Sequence, residues 1–419
     1  MLLRDPAHTD LRVHRPFPGL RPYGFADHED FFGREEQSFA LYRLLDRSHF
    51  VAVVGSSGSG KSSLVRAGLL PLLHEESSDH SPRTWRCVTL RPGNQPRARL
   101  ASALAGAEPE STDEADRVIH SIRRETIEVL LRHSSLGLRE AVRELKEAPD
   151  CSILIIVDQF EEIFRYAEPA DGEHDDPVGR EARASEAAAF VQLLLEASRD
   201  PSRQIHVMLT MRSDYLGDCT RFHGLPEAVA ANQFLVPSLT RDEREAAIRG
   251  PIALAGATIE SALVQRLLNE SGAGNDQLPV LQHALMRMWD AAGHQPADAA
   301  ADGREGSRHL TDALYEEIGT LKYALSWHAD AIMAELPGLD LAVEQTFRAL
   351  AELDRDHRPI RRPRSFANLR AKTGMAEQDL RSVLDRFRRD DCSFIFPAFP
   401  EPLSDETIVD IGHEALIRR

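Results

Sequence analysis

The 419-residue chain is 42% apolar and 28% charged, too apolar to stay disordered and about 2.8 usual domain lengths long, which predicts two or three compact units. Fifty Lys and Arg stand against 67 Asp and Glu, a net charge of −17. That excludes general adhesion to nucleic acid or to an anionic membrane and leaves only a local basic patch for such a role.

In chain order, residues 1–16 carry Arg4, Asp5, His8 and Asp10 with no apolar run, so they read as a tail and not as a signal peptide. No later run approaches the ~20 apolar residues that span a bilayer, and a cytoplasmic location is expected. Short β-rich runs at 50–54, 86–90, 153–157, 204–211 and 234–236 alternate with helical patterns. The third is apolar at every position, which fits a strand covered on both faces of a parallel sheet. Residues 96–148 read as mostly helical, and the acidic, Gly- and Pro-containing stretch 167–185 reads as a mobile surface insert. From 241 to about 335 the pattern is wholly helical, clearest at 261–269 and 279–289 and interrupted by a polar stretch at 291–307. Beyond 336–338, helices at 341–354, 365–372 and 376–390 precede strand-like 393–396 and 406–411, an order that suggests a winged helix. Cys87, Cys151, Cys219 and Cys392 lie far apart without a C-x-x-C pair, so neither a zinc site nor a disulfide frame is expected.

Gly55-Ser56-Ser57-Gly58-Ser59-Gly60-Lys61-Ser62 satisfies G-x-x-x-x-G-K-[ST] between an apolar strand and the helical pattern opened by Ser63. Glycines let the backbone form a concave nest whose N–H groups face a phosphate at a helix N-terminus, where the dipole favours negative charge. Lys61 then reaches the β- and γ-phosphates, and Ser62 gives its hydroxyl to Mg²⁺, a hard ion that prefers oxygen ligands. Asp158, closing the strand 153–157, is the carboxylate expected on the other side of the metal. Glu161 and Glu162 lie three and four residues on, where the start of a helix returns a carboxylate to the γ-phosphate to orient water. The alternative for whichever is not used is a surface acid at a helix N-terminus. Arg212 follows the strand 204–211, at the sheet edge where doubly wound folds bind ligands. It either reads the γ-phosphate or pairs with Asp214 or Asp218.

Further segments add to these. They are Phe17-Pro18-Gly19-Leu20-Arg21-Pro22-Tyr23, Asp30-Phe31-Phe32-Gly33-Arg34-Glu35, Ser63-Leu64-Val65-Arg66-Ala67-Gly68-Leu69-Leu70-Pro71, Val157-Asp158-Gln159-Phe160-Glu161-Glu162, Thr210-Met211-Arg212-Ser213-Asp214-Tyr215, Gln277-Leu278-Pro279-Val280-Leu281 and His413-Glu414-Ala415-Leu416-Ile417-Arg418. Together they resemble the STAND class of P-loop ATPases, in its bacterial nSTAND1 branch, from Phe17 to Arg419. The resemblance implies an α/β P-loop NTPase of the ASCE/AAA+-like kind, with a five-stranded parallel sheet and helices on both faces. It divides the chain into a tail (1–16), a nucleotide-binding domain (17–240), a helical domain (241–335) and a winged helix (336–419). It also implies that Phe32, Gly33 and Arg34 help enclose the adenine of ATP or ADP, that Arg212 is a sensor arginine, that Pro279 closes over the base, and that His413 touches the ADP β-phosphate. Without it, Pro279 is an ordinary first-turn proline and His413 a cap or packed ring. Gly412 stands where the related M-H-D motif has methionine and Glu414 where it has aspartate. Gln159 replaces the acid that many relatives carry directly after the Walker B aspartate, so slow hydrolysis is expected.

The implied activity is a signalling ATPase, closed with ADP and open and self-associating with ATP, in bacterial defence or stress responses. A sensor or effector is expected in a further domain or a separate protein. The rival is an ATP-gated DNA-binding regulator, because residues 355–389 hold 11 Lys or Arg against 4 Asp or Glu, a net +7. A GTPase is disfavoured, since Asp158 is followed by Gln-Phe-Glu where a D-x-x-G motif would be needed, and no N-K-x-D occurs.

Overall fold

The computed structural model describes residues 15–78, 84–106, 114–145, 151–167, 177–200, 202, 204–272, 277–293, 308–353 and 359–417, and these fall into two units. One holds residues 35–56 and 61–237, the other residues 15–34, 57–60 and 238–417.

The first unit opens with α1 (Glu35–Arg47) and β1 (Phe50–Gly55), every residue of which is buried. After the loop, α2 (Lys61–Ser63), a π-helical segment (Leu64–Leu69) and α3 (Leu70–Ser78) follow without a break. Next come β2 (Thr84–Leu90), α4 (Pro96–Ala105), α5 (Glu114–His133), α6 (Gly137–Glu144), β3 (Cys151–Val157), α7 (Glu162–Tyr166), α8 (Pro177–Ser198), β4 (Ile205–Arg212), α9 (Leu225–Ala231) and β5 (Gln233–Leu235). The strands form one parallel sheet in the order β2-β3-β4-β1-β5. β3 is buried along its whole length, as its unbroken apolar run requires. Gly55 of β1 is level with Arg212 of β4, and Val157 of β3 with Leu209 of β4. The carboxyl ends of β1 and β4 therefore finish level, β3 stops three residues earlier, and Asp158 follows it beside Thr210.

The acidic insert is shorter than the sequence suggests. Residues 168–176 lie outside the described residues, but from Pro177 the chain is helical, and Ala187, Phe190, Val191 and Leu194 are buried in the core. Proline at the first helical position and an alanine-rich continuation outweigh the single Gly179.

In the second unit a 3₁₀ turn (Phe25–Asp30) precedes α10 (Arg241–Leu254), which is started by a capping box. The Glu243 N–H donates to Thr240 Oγ1 (3.2 Å) and the Thr240 N–H to Glu243 Oε2 (2.6 Å). Then follow β6 (Thr258–Ile259), α11 (Ser261–Glu270), α12 (Gln277–Ala292), β7 (His309–Leu310), α13 (Asp312–Glu317) and α14 (Thr320–Ala334). β6 and β7 pair in parallel, so this stretch is not wholly helical; two-residue strands are too short to carry a period-2 signal. Most of the polar interruption at 291–307 lies outside the described residues. The remaining elements are α15 (Asp340–Ala349), β8 (Ala351–Leu353), β9 (Pro359–Arg361), β10 (Arg364–Ser365), α16 (Phe366–Thr373), α17 (Glu377–Phe387), β11 (Ile395–Phe396) and β12 (Ile408–Ile411). In place of the expected two-stranded ribbon there is a three-stranded sheet, β10-β12-β11, with a separate hairpin of β8 and β9. Phe17 and Leu20 are buried in this unit's core, and the Tyr23 hydroxyl donates to Gln282 Oε1 of α12 at 2.9 Å. Among the described residues no helix is long and apolar enough to cross a membrane.

Candidate functional site

β1 runs straight into the glycine-rich loop. Gly58 and Gly60 have φ of +69° and +88°, left-handed values that glycine adopts without steric cost and that bend successive N–H groups to one side. Lys61 opens the following helix, and its Nζ donates to the carbonyls of Gly55 (3.1 Å) and Ser56 (2.8 Å). Burial pulls the Lys61 ammonium below its usual pKa, opposed by the nearby Glu161 carboxylate and assisted by Arg212. Ser63 ends the short α2.

Ser62, the residue after Lys61, donates through Oγ to Asp158 Oδ1 at 2.7 Å. Thr210 Oγ1 on β4 donates to the same oxygen at 2.6 Å, while Arg66 donates to Oδ2 at 2.7 Å. Asp158 is only 1% exposed. Burial pushes its pKa up, but Arg66, Arg91 and the two hydroxyl hydrogen bonds together hold it below the usual carboxylate range. The donors are hard oxygens, 2.7 Å apart, on two different elements. That pair fits Mg²⁺, which keeps several waters and takes other ligands from phosphates. Among the described residues no group of three His, Cys, Asp or Glu could hold a metal on its own.

The two glutamates part company. Glu161 is 4% exposed and its Oε2 is buried with no hydrogen-bond partner among the described residues, whereas Glu162 Oε2 accepts the Gly93 N–H at 3.0 Å. Gln159, between Asp158 and this pair, has φ +57°, and its N–H donates to Thr210 Oγ1 at 3.0 Å. Arg212 ends β4 and grips Asp214 through Nε (3.1 Å) and Nη2 (2.6 Å), the pairing that the residue types alone allowed. The structure thus brings Lys61, Ser62, Asp158 and Glu161 to one sheet edge.

Arg66 and Thr210 join them, and neither was singled out from the sequence. Arg66 carries a usable signal, because it lies four residues after Ser62 and so shares its helix face. Thr210 depends on strand register and has none.

Within the second unit, Phe32 packs on Gly250, where a Cβ would lie 2.4 Å from the ring. Gly33 has φ +81° and a Cβ there would meet the Glu243 carbonyl at 2.2 Å, so only glycine lets the chain seat against α10. Arg34 is buried and donates to the Ser59 carbonyl at 3.1 Å, which ties the segment 32–34 to the loop residues 57–60. Pro279 is the third residue of α12, where its missing N–H breaks no helical bond. His413 Nδ1 accepts the Ala415 N–H at 3.1 Å at the 3₁₀ turn Glu414–Leu416. The absence of methionine at 412 has a cause: a Cβ on Gly412 would lie 2.5 Å from the Ser393 carbonyl oxygen.

The model of the family described as nSTAND1, novel STAND NTPase 1, matches residues 16–419. The chain belongs to the nSTAND1 family. This nSTAND1 protein is a P-loop NTPase, and nucleotide binding goes with that family. No curated protein matches it. Among solved structures it is similar to the ADP form of the Aeropyrum pernix ORC2 protein, at 13% identity and TM-score 0.46 over 93% of this chain and 92% of that one. It is similar to the Aeropyrum pernix ORC1 protein in complex with DNA at 12% identity and TM-score 0.42, covering 92% and 91%. A Walker-type ATPase of Pyrococcus abyssi gives 14% identity and TM-score 0.39 over 96% and 98%.

Proposed function

We propose that this nSTAND1 protein is an ATP-binding, slowly hydrolysing signal-transduction switch, closed with ADP and open and self-associating with ATP, in bacterial defence or stress signalling. The observation that carries the nucleotide site is the 2.7 Å hydrogen bond from Ser62 to the buried Asp158, one residue from Lys61. In this reading the backbone N–H groups of residues 55–62 cradle the β-phosphate, and Lys61 leaves the loop carbonyls for the β- and γ-phosphates. Ser62 and Asp158 would hold Mg²⁺, which neutralises charge on the phosphate oxygens when bound. Glu161 orients the attacking water, because its Oε2 is buried with no hydrogen-bond partner among the described residues, while Glu162 is committed to Gly93. Arg212 exchanges Asp214 for the γ-phosphate. Gln159 supplies no second acid, in keeping with slow turnover.

Phe32, Gly33, Arg34, Pro279 and His413 are assigned to the nucleotide by resemblance alone, whereas the domain boundaries at 241 and 336 rest on the change of sequence pattern there as well as on the resemblance. The order of α15, α16 and α17 with the sheet β10-β12-β11 supports reading the last domain as a winged helix. Its arginines favour an internal role over DNA. Arg361 pairs with Asp410 (2.8 Å), Arg386 with Glu335 (2.7 Å), Arg388 with Asp385 (2.8 Å), Arg370 with Glu377 and Arg362 with Glu352. Moving a two-state equilibrium from 1:99 to 99:1 takes about 5.5 kcal/mol of differential binding. A second input beyond the γ-phosphate therefore belongs to the switch. Lys61→Ala should abolish binding of ATP with Mg²⁺ in a calorimetric titration; equal binding by the variant and the wild type would refute the site.

A further inference from the structure

Asp158 carries more partners than a metal-binding carboxylate needs. Two hydroxyls fix Oδ1, Ser62 at 2.7 Å and Thr210 at 2.6 Å, and a full positive charge sits on Oδ2 through Arg66 at 2.7 Å. The carboxylate is 1% exposed and the Arg66 side chain 29% exposed, so the pair is poorly screened by water. Arg66 stands in the π-helical segment Leu64–Leu69 directly after α2, four residues beyond Ser62; such segments recur at functional sites.

Resting on the nucleotide site proposed above, we infer that Arg66 is the built-in counter-ion of Asp158 and sets how strongly ATP binding depends on Mg²⁺. Two cations that share one carboxylate each weaken the other's hold on it. Arg66 therefore lowers the demand for Mg²⁺ in two ways. It neutralises Asp158 in advance, and it adds positive charge on the phosphate side of the sheet, which helps ATP bind without metal. Removing Arg66 takes away the one cation hydrogen-bonded to the carboxylate among the described residues and leaves only the more distant charges of Arg91 and Lys61, so Mg²⁺ gains the hold on Asp158 that Arg66 gave up. Arg66 also orients the carboxylate, and losing that function would act in the opposite direction. The charge effect prevails because Ser62 and Thr210 still hold Oδ1. Arg66 is thus a positioning and charge-setting residue that acts through Asp158.

The test is the affinity of a fluorescent ATP analogue measured with MgCl₂ and with EDTA, in the wild type and in Arg66→Met, Arg66→Gln and Arg66→Lys. The expected result is a ratio of EDTA to MgCl₂ dissociation constants at least about fivefold larger in Arg66→Met than in the wild type, the lower end of usual coupling between two ligands. Arg66→Lys should return towards the wild-type ratio. A merely structural loss would weaken both affinities alike and leave the ratio unmoved, which would overturn the inference while the nucleotide site stands. If Arg66→Met fails to fold, a ratio raised in Arg66→Gln and not in Arg66→Lys supports the inference, and equal ratios in the two refute it. A wild-type protein that binds no ATP analogue in either buffer would refute the underlying site as well.

Discussion

At the scale of single residues, the informative contrast is between two adjacent glutamates. Glu161 is buried near the Lys61 ammonium with one oxygen unpartnered, and Glu162 holds the Gly93 N–H. Glu161→Gln should keep ATP binding and slow single-turnover hydrolysis on the order of 10²–10⁴-fold, the usual worth of a positioned base. Glu162→Gln should cost about 1 kcal/mol of stability from one weakened hydrogen bond and leave hydrolysis within a few-fold of wild type. The same chemical quench measurement on both variants decides, and a larger rate loss in Glu162→Gln reverses the assignment. From the sequence the two acids were indistinguishable, because either could be returned to the phosphate by the first turn of a helix. Lys61 and Ser62 were legible because local chemistry fixes them: glycine spacing, a strand before and a helix after. Thr210 was not, since its hydroxyl reaches Asp158 only through the register of β4 on β3.

At the scale of elements, two packing details make predictions. Gly412 lies so close to the Ser393 carbonyl that Gly412→Met, which would restore the residue of the related motif, should destabilise by about 1–3 kcal/mol or more through overpacking. A lowered urea midpoint with unchanged slope would register it; an unaltered midpoint would show that β11 and β12 can separate at no cost. The second detail is a buried histidine pair. His283 on α12 and His328 on α14 meet at 3.2 Å between ring nitrogens, and Phe394 packs against both. Burial pulls His283 down to about 3 and His328 to about 2; Arg287 adds to both shifts, and His283 and Arg386 to that of His328. Both rings are therefore neutral when folded and take up protons in the unfolded chain below its ordinary pKa of about 6.5. Their contribution is complete above that pH and lost as the pH falls, at up to about 1.4 kcal/mol per pH unit for each ring. Urea unfolding at about pH 7.5 and about pH 5.5 should show this slope, and His283→Asn with His328→Asn should flatten it. An equal slope in the double variant would remove the pair as its source. Longer elements were readable from apolar periodicity, but β6, β7 and β10 were not, because two residues cannot display a period of two.

At the scale of the whole molecule, the acidic net charge and the basic stretch at 355–389 pull in different directions, and the ion pairs of Arg361, Arg362, Arg370, Arg386 and Arg388 reconcile them. No shift of a DNA fragment is expected at low salt, where such binding would be strongest; a salt-dependent shift would instead favour the DNA-binding reading. Particle mass should be that of a single chain with ADP and should rise with a non-hydrolysable ATP analogue; the same mass in both would refute the assembly step. The α/β sheet was legible because a parallel strand buried on both faces leaves an unbroken apolar run. The three-stranded sheet near the C-terminus was only half legible, since β10 is short and polar.

Thr210 and Arg212 stand two residues apart on β4, hence on one face and about 7 Å along the strand. The strand is hydrogen-bonded to β1 on one side and β3 on the other, so it behaves as a stiff rod. A tug on the guanidinium end would reach the carboxylate of Asp158 through the Thr210 hydroxyl alone. On the nucleotide reading proposed above, news of an arriving terminal phosphate would need no moving helix to reach Asp158.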